Sequence, residues 1–242
     1  PLFPSGMNNV KLTNGKFIFR HGVDNGPMVT SGDYTITIGD SLIIENTYSQ
    51  AISLTNGNNT VNVTVNKSFI HNGTAEFRLT NSQTSNNPSV TLNIDSNLVI
   101  SNTGNFNFDI GSSSTGTNKT IVNLKGDLSV GSSTIIRTTN SNDAKRGLLN
   151  FTGIYNNADE SSIQTIDIAS TIANRNQYLD FVIDTSSYTQ LLNHHLELGT
   201  KSTVTVLGTG ESKGGILDFN FDNSNNALNI TSYSTGTKFN LG

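Results

Sequence analysis

The stretch Val90–Ile100, which reads VTLNIDSNLVI, decides the fold that this chain can adopt. Apolar residues occupy alternate positions on both sides of a polar break, which is the pattern of short strands with one buried face. The break, Asp95-Ser96-Asn97, contains residue types that bend the chain readily because their side chains bond to their own backbone. The stretch therefore predicts a strand, a bend and a second strand.

The same plan recurs in three other stretches, Tyr34–Ile44, Val61–His71 and Thr120–Val130. At one equivalent position, with spacings of 27, 29 and 30 residues, the four stretches carry Ile38, Val65, Ile94 and Leu124. A unit of this length cannot bury its apolar face alone, whereas stacked coils can. We therefore predict an all-β, single-stranded parallel β-helix (a β-solenoid), right-handed, with about eight coils of 27–30 residues. A β-sandwich is the alternative, but it does not require like residues to recur at this interval.

The inward positions of the repeat define a structural core ladder. It consists of Ile36, Ile38, Leu42, Val63, Val65, Phe69, Leu92, Ile94, Leu98, Val122, Leu124 and Leu128. We expect residues 1–33 to form an irregular N-terminal coil or cap, because the open edge of a parallel stack needs covering. The solenoid is predicted over 34–242, with regular coils over 34–150 and less regular coils over 151–242.

The less regular part contains further strand patterns, among them Leu149–Phe151, Tyr178–Ile183 and Leu196–Leu198. Residues 158–177 permit either a helical turn or a loosely coiled strand, and we favour the strand.

The composition excludes several classes of protein. Asn, Ser and Thr number 35, 28 and 31 of the 242 residues, while charged residues make up only 13% and the net charge is −4. With 14 basic residues in no block, we expect no nucleic-acid partner, and no apolar run is long enough for membrane insertion. The absence of cysteine excludes disulfides, thiolate metal sites and a cysteine nucleophile.

No residue pattern points to a metal or a cofactor, and we predict none. The histidines at 21, 71, 194 and 195 lack the spacing of paired metal ligands. The adjacent histidines at 194 and 195 would point to opposite faces of a strand, so they cannot easily share one metal ion. Asp218, Asn220 and Asp222 resemble the start of a calcium loop, but Asn223 and Asn229 replace its glycine and its glutamate. The simpler interpretation is a solvated strand face.

A carbohydrate-binding or carbohydrate-cleaving β-helix is the main functional alternative. Cleavage requires outward carboxylates clustered over neighbouring coils. The outward rows of the aligned coils are instead uncharged, and they read Thr35, Asn62, Thr91, Ile121 and Thr37, Thr64, Asn93, Asn123. In the next row, the alignment places Asp95 beside Lys125 and Asp40 beside Lys67. We therefore predict that the chain is not an enzyme.

An ice-binding solenoid is a lesser alternative. Thr35-Ile36-Thr37 and Thr203-Val204-Thr205 have the form of an ice-binding row, but the coils between them change to Asn62-Val63-Thr64 and Thr91-Leu92-Asn93. A lattice match needs more regular coils than these.

The repeat resembles those of large cell-surface proteins of the Bacteroidetes, including type IX-secreted and gliding-motility adhesins. The resemblance is carried by the unit Val122–Val130 and by Leu149–Gly153, Gln164–Ile166, Tyr178–Ile183, His195–Leu198 and Gly215–Phe219. It implies a location outside the cell at the bacterial surface, an adhesive or stalk role, and no catalytic residues. Such proteins end in a sorting domain, so we expect this chain to be part of a longer one.

Taken together, these patterns predict a non-catalytic cell-surface adhesin or stalk segment that acts by attachment or as a rigid spacer. We expect its partners to be a polysaccharide or a solid surface, other domains of a longer chain, or the secretion and motility machinery. A charge-poor surface of Asn, Ser and Thr suits weak contacts that become effective when many act together.

Overall fold

A computed structural model describes residues 9–12, 15, 17–19, 27–29, 32–45, 51–55, 57–80, 88–101, 103–108, 120–138, 147–155, 162–170, 179–194, 196–198, 202–207, 215–219 and 238–241. These residues form 22 strands and no helix. In chain order the strands are β1 (Asn9–Leu12), β2 (Phe17–Phe19), β3 (Pro27–Val29), β4 (Tyr34–Ile38), β5 (Leu42–Ile44), β6 (Ile52–Thr55), β7 (Thr60–Val65), β8 (Phe69–His71), β9 (Phe77–Thr80), β10 (Ser89–Ile94), β11 (Leu98–Ile100), β12 (Phe106–Asn107), β13 (Thr120–Leu124), β14 (Leu128–Val130), β15 (Ile136–Arg137), β16 (Gly147–Phe151), β17 (Gln164–Ile168), β18 (Leu179–Ile183), β19 (Tyr188–Leu191), β20 (Thr203–Val206), β21 (Ile216–Asp218) and β22 (Lys238–Leu241).

The strands form three parallel sheets that the chain visits in turn. The first sheet has the order β1-β4-β7-β10-β13-β16-β18-β20-β22, the second β2-β5-β8-β11-β14-β17-β19-β21, and the third β15-β12-β9-β6-β3. Strands that neighbour each other in a sheet are thus separated in sequence by the strands of the other sheets, which is the arrangement of a solenoid. The prediction of an all-β parallel β-solenoid is confirmed, and a sandwich, which is antiparallel, is excluded. The number of coils and the right-handed sense stay predictions.

The register follows the repeat alignment residue by residue. Ile38 pairs with Val65, Val65 with Ile94, and Ile94 with Leu124. The same row continues into the later part through Phe151, Ile183 and Val206. Because side chains alternate between the two faces of a strand, this register directs every second residue of each coil inward.

The interior consists of stacked aliphatic and aromatic side chains. All twelve residues of the core ladder are at most 3% exposed and belong to one continuous hydrophobic cluster. Phe69, Phe77, Phe106 and Phe108 add an aromatic column inside the regular coils, with neighbouring ring centroids 4.9–5.4 Å apart. A Cβ atom at Gly147 would overlap the side chain of Phe108, so the column approaches the backbone closely at this point.

The bend between a first-sheet strand and the next second-sheet strand is here called the first corner. It comprises residues 39–41, 66–68, 95–97 and 125–127 in the regular coils, and 152–163, 184–187 and 207–215 in the later part, of which 156–161 and 208–214 lie outside the described residues. In the regular coils each bend bonds to the one before it, since Lys67 N donates to Asp40 O at 3.0 Å and Ser96 N to Lys67 O at 3.1 Å. The polar breaks of the sequence therefore stack as a column of their own.

The later part departs from the regular pattern in two places. Within the segment 158–177, Gln164–Ile168 is a strand, as the favoured interpretation has it; 158–161 and 171–177 lie outside the described residues. The strand predicted at Leu196–Leu198 is wrong: Leu198 forms only an isolated bridge, although Leu196 and Leu198 are buried. Among the described residues the third sheet ends at β15, so it has no strand in the coil that contains Leu196–Leu198.

Residues from 9 to 29 contribute one strand to each sheet. β1 pairs with β4, β2 with β5 and β3 with β6, all in parallel. These backbone pairings extend the stack towards the N-terminus. The irregular cap predicted for residues 1–33 stays a prediction.

Candidate binding surface

The outward face of the first sheet carries an uncharged row of hydroxyl and amide side chains. Thr37, Thr64, Asn93, Asn123 and Asn150 follow one another in register on neighbouring strands. Parallel strands lie about 4.8 Å apart, so this row presents a hydrogen-bonding group at each step along the stack.

The three asparagines of the row bond to one another as an amide ladder. Asn123 Nδ2 donates to Asn93 Oδ1 at 2.8 Å, and Asn150 Nδ2 donates to Asn123 Oδ1 at 3.2 Å. The ladder ends at Asn150 Oδ1, which is buried and has no hydrogen-bond partner. The next residue in register is Val182, whose side chain has no donor.

A groove of about 450 Å³ runs over this row at the first corner. It is lined by Thr64, Asn93, Ile94, Asp95, Asn123, Lys125 and Thr152. These residues come from the first-sheet strands β7, β10 and β13 and from the bends that follow β10, β13 and β16, so the groove crosses the coils rather than following one of them. Its volume lies within the range of small-molecule sites, and its lining offers hydroxyl, amide and carboxylate groups.

Ion pairs lie at the first corner where the sequence places them, and one of them, between Lys125 and Asp95, lines the groove. Lys125 Nζ lies 2.7 Å from Asp95 Oδ1, and Lys67 Nζ lies 3.1 Å from Asp40 Oδ2. Both neighbour relations predicted from the repeat alignment are confirmed. The two lysine side chains are 54% and 64% exposed, so each pair contributes about 0–1 kcal/mol to stability.

The outward face of the second sheet differs in character from that of the first. Ile43, Ile70 and Val99 follow one another in register there and are partly exposed. The row then becomes polar at Ser129 and Asp167. Ile43, Ile70 and Val99 are thus apolar side chains at outward positions of the repeat, where the uncharged row of the first sheet carries hydroxyl and amide groups.

The described histidines occupy two different environments. His71 is completely buried between Ile44 and Ile100, and its Nε2 atom has no hydrogen-bond partner. Burial lowers the pKa of His71, since the charged imidazolium would lose its hydration. His194 is on the surface, where its Nδ1 atom lies 2.5 Å from Asp167 Oδ1. His21 and His195 lie outside the described residues.

The structure gives Asp218 a specific environment that differs from a calcium loop. Its Oδ2 atom accepts hydrogen bonds from Tyr188 Oη at 2.7 Å and from Gln190 Nε2 at 2.9 Å. Asn220 and Asp222, the other members of the predicted string, lie outside the described residues. Within the described ranges no three His, Asp or Glu side chains are grouped so that they could hold a metal ion.

The pair of Tyr155 and Tyr188 was not identified from the sequence. Their ring centroids lie 4.9 Å apart, with an interplanar angle of 40°. Tyr155 belongs to the long bend 152–163, which has no equivalent in the regular coils, so no repeat alignment could bring it to Tyr188. The relation of Tyr188 and Gln190 to Asp218 does follow the repeat, because they lie 30 and 28 residues apart.

Comparison with known proteins finds no family model, no curated protein and no solved structure that matches this chain. Where the chain is described, it has no helix of the length and apolarity that a membrane span needs.

Proposed function

We propose that this chain is a non-catalytic adhesin or stalk segment of an exported bacterial protein, acting outside the cell at the cell surface. The observation that carries the proposal is the uncharged row on the outward face of the first sheet, where Thr64, Asn93 and Asn123 line a groove that crosses the coils. Its partner would be a polysaccharide or a solid surface, and the solenoid would hold this face in place for other domains of a longer chain or for secretion and motility machinery.

The physical basis of attachment would be the sum of many weak contacts. Each exposed amide or hydroxyl exchanges a bond with water for a bond with the ligand, so its net contribution is only about 0.5–1.5 kcal/mol. Regularly spaced groups on a rigid stack can act together without a further ordering cost for each contact. Display of many copies at a cell surface multiplies this effect through avidity.

The stalk role depends on the shape that the repeat predicts. A right-handed solenoid of about eight coils would extend about 40 Å at the usual strand spacing. The continuous hydrophobic cluster, which runs from Tyr34 to Val206, supports a stiff spacer because neighbouring coils share one packed interior.

The experiment displays the 242-residue chain in many copies on beads and measures retention on insoluble polysaccharides and mineral surfaces. We expect retention by at least one surface, and its loss when Asn93→Ala and Asn123→Ala are combined. Ser129→Ala, an exposed change on the second sheet, is the matched control and should retain binding. If no surface retains the beads, attachment is wrong and only the spacer role is left.

A carbohydrate-cleaving enzyme is a second candidate, favoured by one contact. His194 and Asp167 form a close surface pair, and Asn193 Nδ2 donates to the other oxygen of Asp167 at 3.0 Å. A carboxylate that orients an imidazole is part of many general acid–base sites. Release of new reducing ends from a soluble polysaccharide, abolished by His194→Asn, would establish this candidate. If no reducing ends are released from any polysaccharide that retains the beads, this candidate is excluded.

A further inference from the structure

The Tyr155–Tyr188 pair lies at the first corner, as the groove does. Thr152 lines the groove, and Tyr155 follows it by three residues in the same bend. Tyr155 N donates to Ser186 O at 2.9 Å, so this bend is bonded to bend 184–187, which leads into Tyr188. The pair therefore continues the surface that the groove begins.

The second ring of the pair is held in place by hydrogen bonds on its own sheet face. Tyr188 Oη and Gln190 Nε2 both donate to Asp218 Oδ2, at 2.7 and 2.9 Å. Gln190 and Asp218 are directly in register on β19 and β21. A ring fixed in this way loses little conformational entropy when a ligand packs on it, which favours binding.

The surroundings of the pair combine apolar and polar groups. Ile154 is 74% exposed and Ile216 is 36% exposed, and both belong to the few large hydrophobic side chains at the described surface. Ile216 is in register with Tyr188, whereas Asp218 and Gln190 place a carboxylate and an amide on the same face. An aromatic and aliphatic surface bordered by hydrogen-bonding groups matches a ligand that is itself apolar on one side and hydroxylated at its rim.

We propose that Tyr155, Tyr188, Gln190 and Asp218 form a subsite that binds one pyranose ring of a neutral polysaccharide. The C–H face of the sugar packs on the tyrosine pair, and its hydroxyl groups bond to the polar side chains. A neutral sugar fits better than a uronate or a sulfated one, because an anionic group would approach the Asp218 carboxylate. This inference rests on the proposed attachment function, which supplies the polysaccharide as the ligand. The sugar units next to the bound ring would lie along the groove.

The test titrates the 242-residue protein, as a monomer in solution, with neutral oligosaccharides of glucose, mannose, xylose and galactose. The chain has six tyrosines and no tryptophan, so tyrosine fluorescence and calorimetry together report binding at the pair. We expect a saturable signal with at least one neutral series. Tyr155→Ala should weaken this binding about tenfold, and Tyr188→Phe, which keeps the ring, about threefold to tenfold.

The controls separate this subsite from the rest of the surface. Ser129→Ala should bind as the unaltered protein does, and thermal unfolding should show that the tyrosine variants remain folded. Unchanged affinity in folded Tyr155→Ala overturns the subsite, as does the absence of binding by every neutral series. In either case, retention of the beads on a surface would still support the attachment function. If uronates or sulfated sugars bind more tightly than neutral sugars in the same titration, the ligand is not a neutral polysaccharide.

Discussion

The first corner is built in two ways in the two parts of the molecule. In the regular coils, backbone N–H groups of each bend donate to carbonyl oxygens of the bend before it. The series begins with Lys67 N donating to Asp40 O and ends with Gly126 N donating to Ser96 O at 3.0 Å. In the following coil the bend lengthens, and Gly126 O instead accepts from the side chain of Gln164, whose Nε2 lies 2.8 Å away.

This difference shows how a solenoid accommodates an insertion. A bend of constant length presents its N–H groups to the carbonyls of the coil before it, so the column extends itself. The longer bend 152–163 removes that match, and buried polar side chains replace the missing backbone donors, as buried carbonyl groups require. Gln164 also accepts from Gly153 N at 2.8 Å, and the Ser187 hydroxyl lies 2.8 Å from the carbonyl oxygens of both Phe151 and Gly153.

The largest effect is expected from breaking the aromatic column of the regular part. Phe106→Ala should lower the free energy of unfolding by about 4 kcal/mol, because it removes a completely buried ring that contacts three others. Urea denaturation followed by circular dichroism measures the loss, and Phe106→Leu should cost much less. A single transition means that both parts unfold together; two transitions would show that the regular and later parts are separate folding units.

The next largest effect is expected in the later part, at Gln164. Gln164→Ala should cost about 3 kcal/mol, since a side chain that is 2% exposed makes three hydrogen bonds to backbone groups. Asn97→Ala is the matched change in a regular bend, where one hydrogen bond of 2.9 Å from Asp127 N is lost, and should cost about 1 kcal/mol. Equal losses in urea denaturation would contradict the idea that side chains replace backbone bonds in the longer bend.

A pH-dependent effect is expected at His71, a completely buried histidine in the interior of the regular coils. His71 has a pKa below its usual value of 6.5 because it is buried, so below about pH 6.5 the unfolded chain binds a proton that the folded chain does not. Stability should therefore fall as the pH falls from about 6.5 to the folded pKa, by at most about 1.4 kcal/mol per pH unit.

The variant His71→Ile tests the source of this pH dependence. Isoleucine continues the row of Ile44 and Ile100, so the variant should lose most of the slope in denaturation experiments between pH 7 and pH 5. His194→Asn removes an exposed imidazole and should keep the slope. A slope that persists in His71→Ile would place the proton uptake elsewhere.

What the sequence predicts well is whatever depends on alternation and on a constant repeat. The register of Ile38, Val65 and Ile94 follows from the spacing of like residues, and the contact of Lys125 with Asp95 follows from the same alignment. The column forms because parallel strands stack equivalent residues directly above one another.

What the sequence does not predict comes from the bends that break the repeat. Gln164 lies at the position equivalent to Gly126, yet nothing in its own surroundings indicates that it would turn inward to bond to that residue. Tyr155 meets Tyr188 only because the longer bend carries it there. Leu196–Leu198 has the alternation of a strand, but among the described residues it forms only the isolated bridge at Leu198, and alternation alone does not supply a paired strand.

The smallest effect is expected from extending the amide ladder of the regular part into the later part. Val182→Asn places an amide in register with Asn150, where it can donate to the buried Oδ1 atom that has no partner. The gain of this bond, about 1 kcal/mol, opposes the lower strand propensity of asparagine. We therefore expect a change in unfolding free energy close to zero, or a stabilisation of about 0.5 kcal/mol.

The matched control for this change is Ile70→Asn on the outward face of the second sheet. Ile70 is also partly exposed, but its neighbours in register, Ile43 and Val99, offer no hydrogen-bonding group. This variant therefore bears the propensity cost alone and should lose about 1 kcal/mol. The difference between the two variants measures the ladder bond itself; if both lose the same stability, the asparagines are neighbours on a solvated face and their hydrogen bonds do not couple the coils.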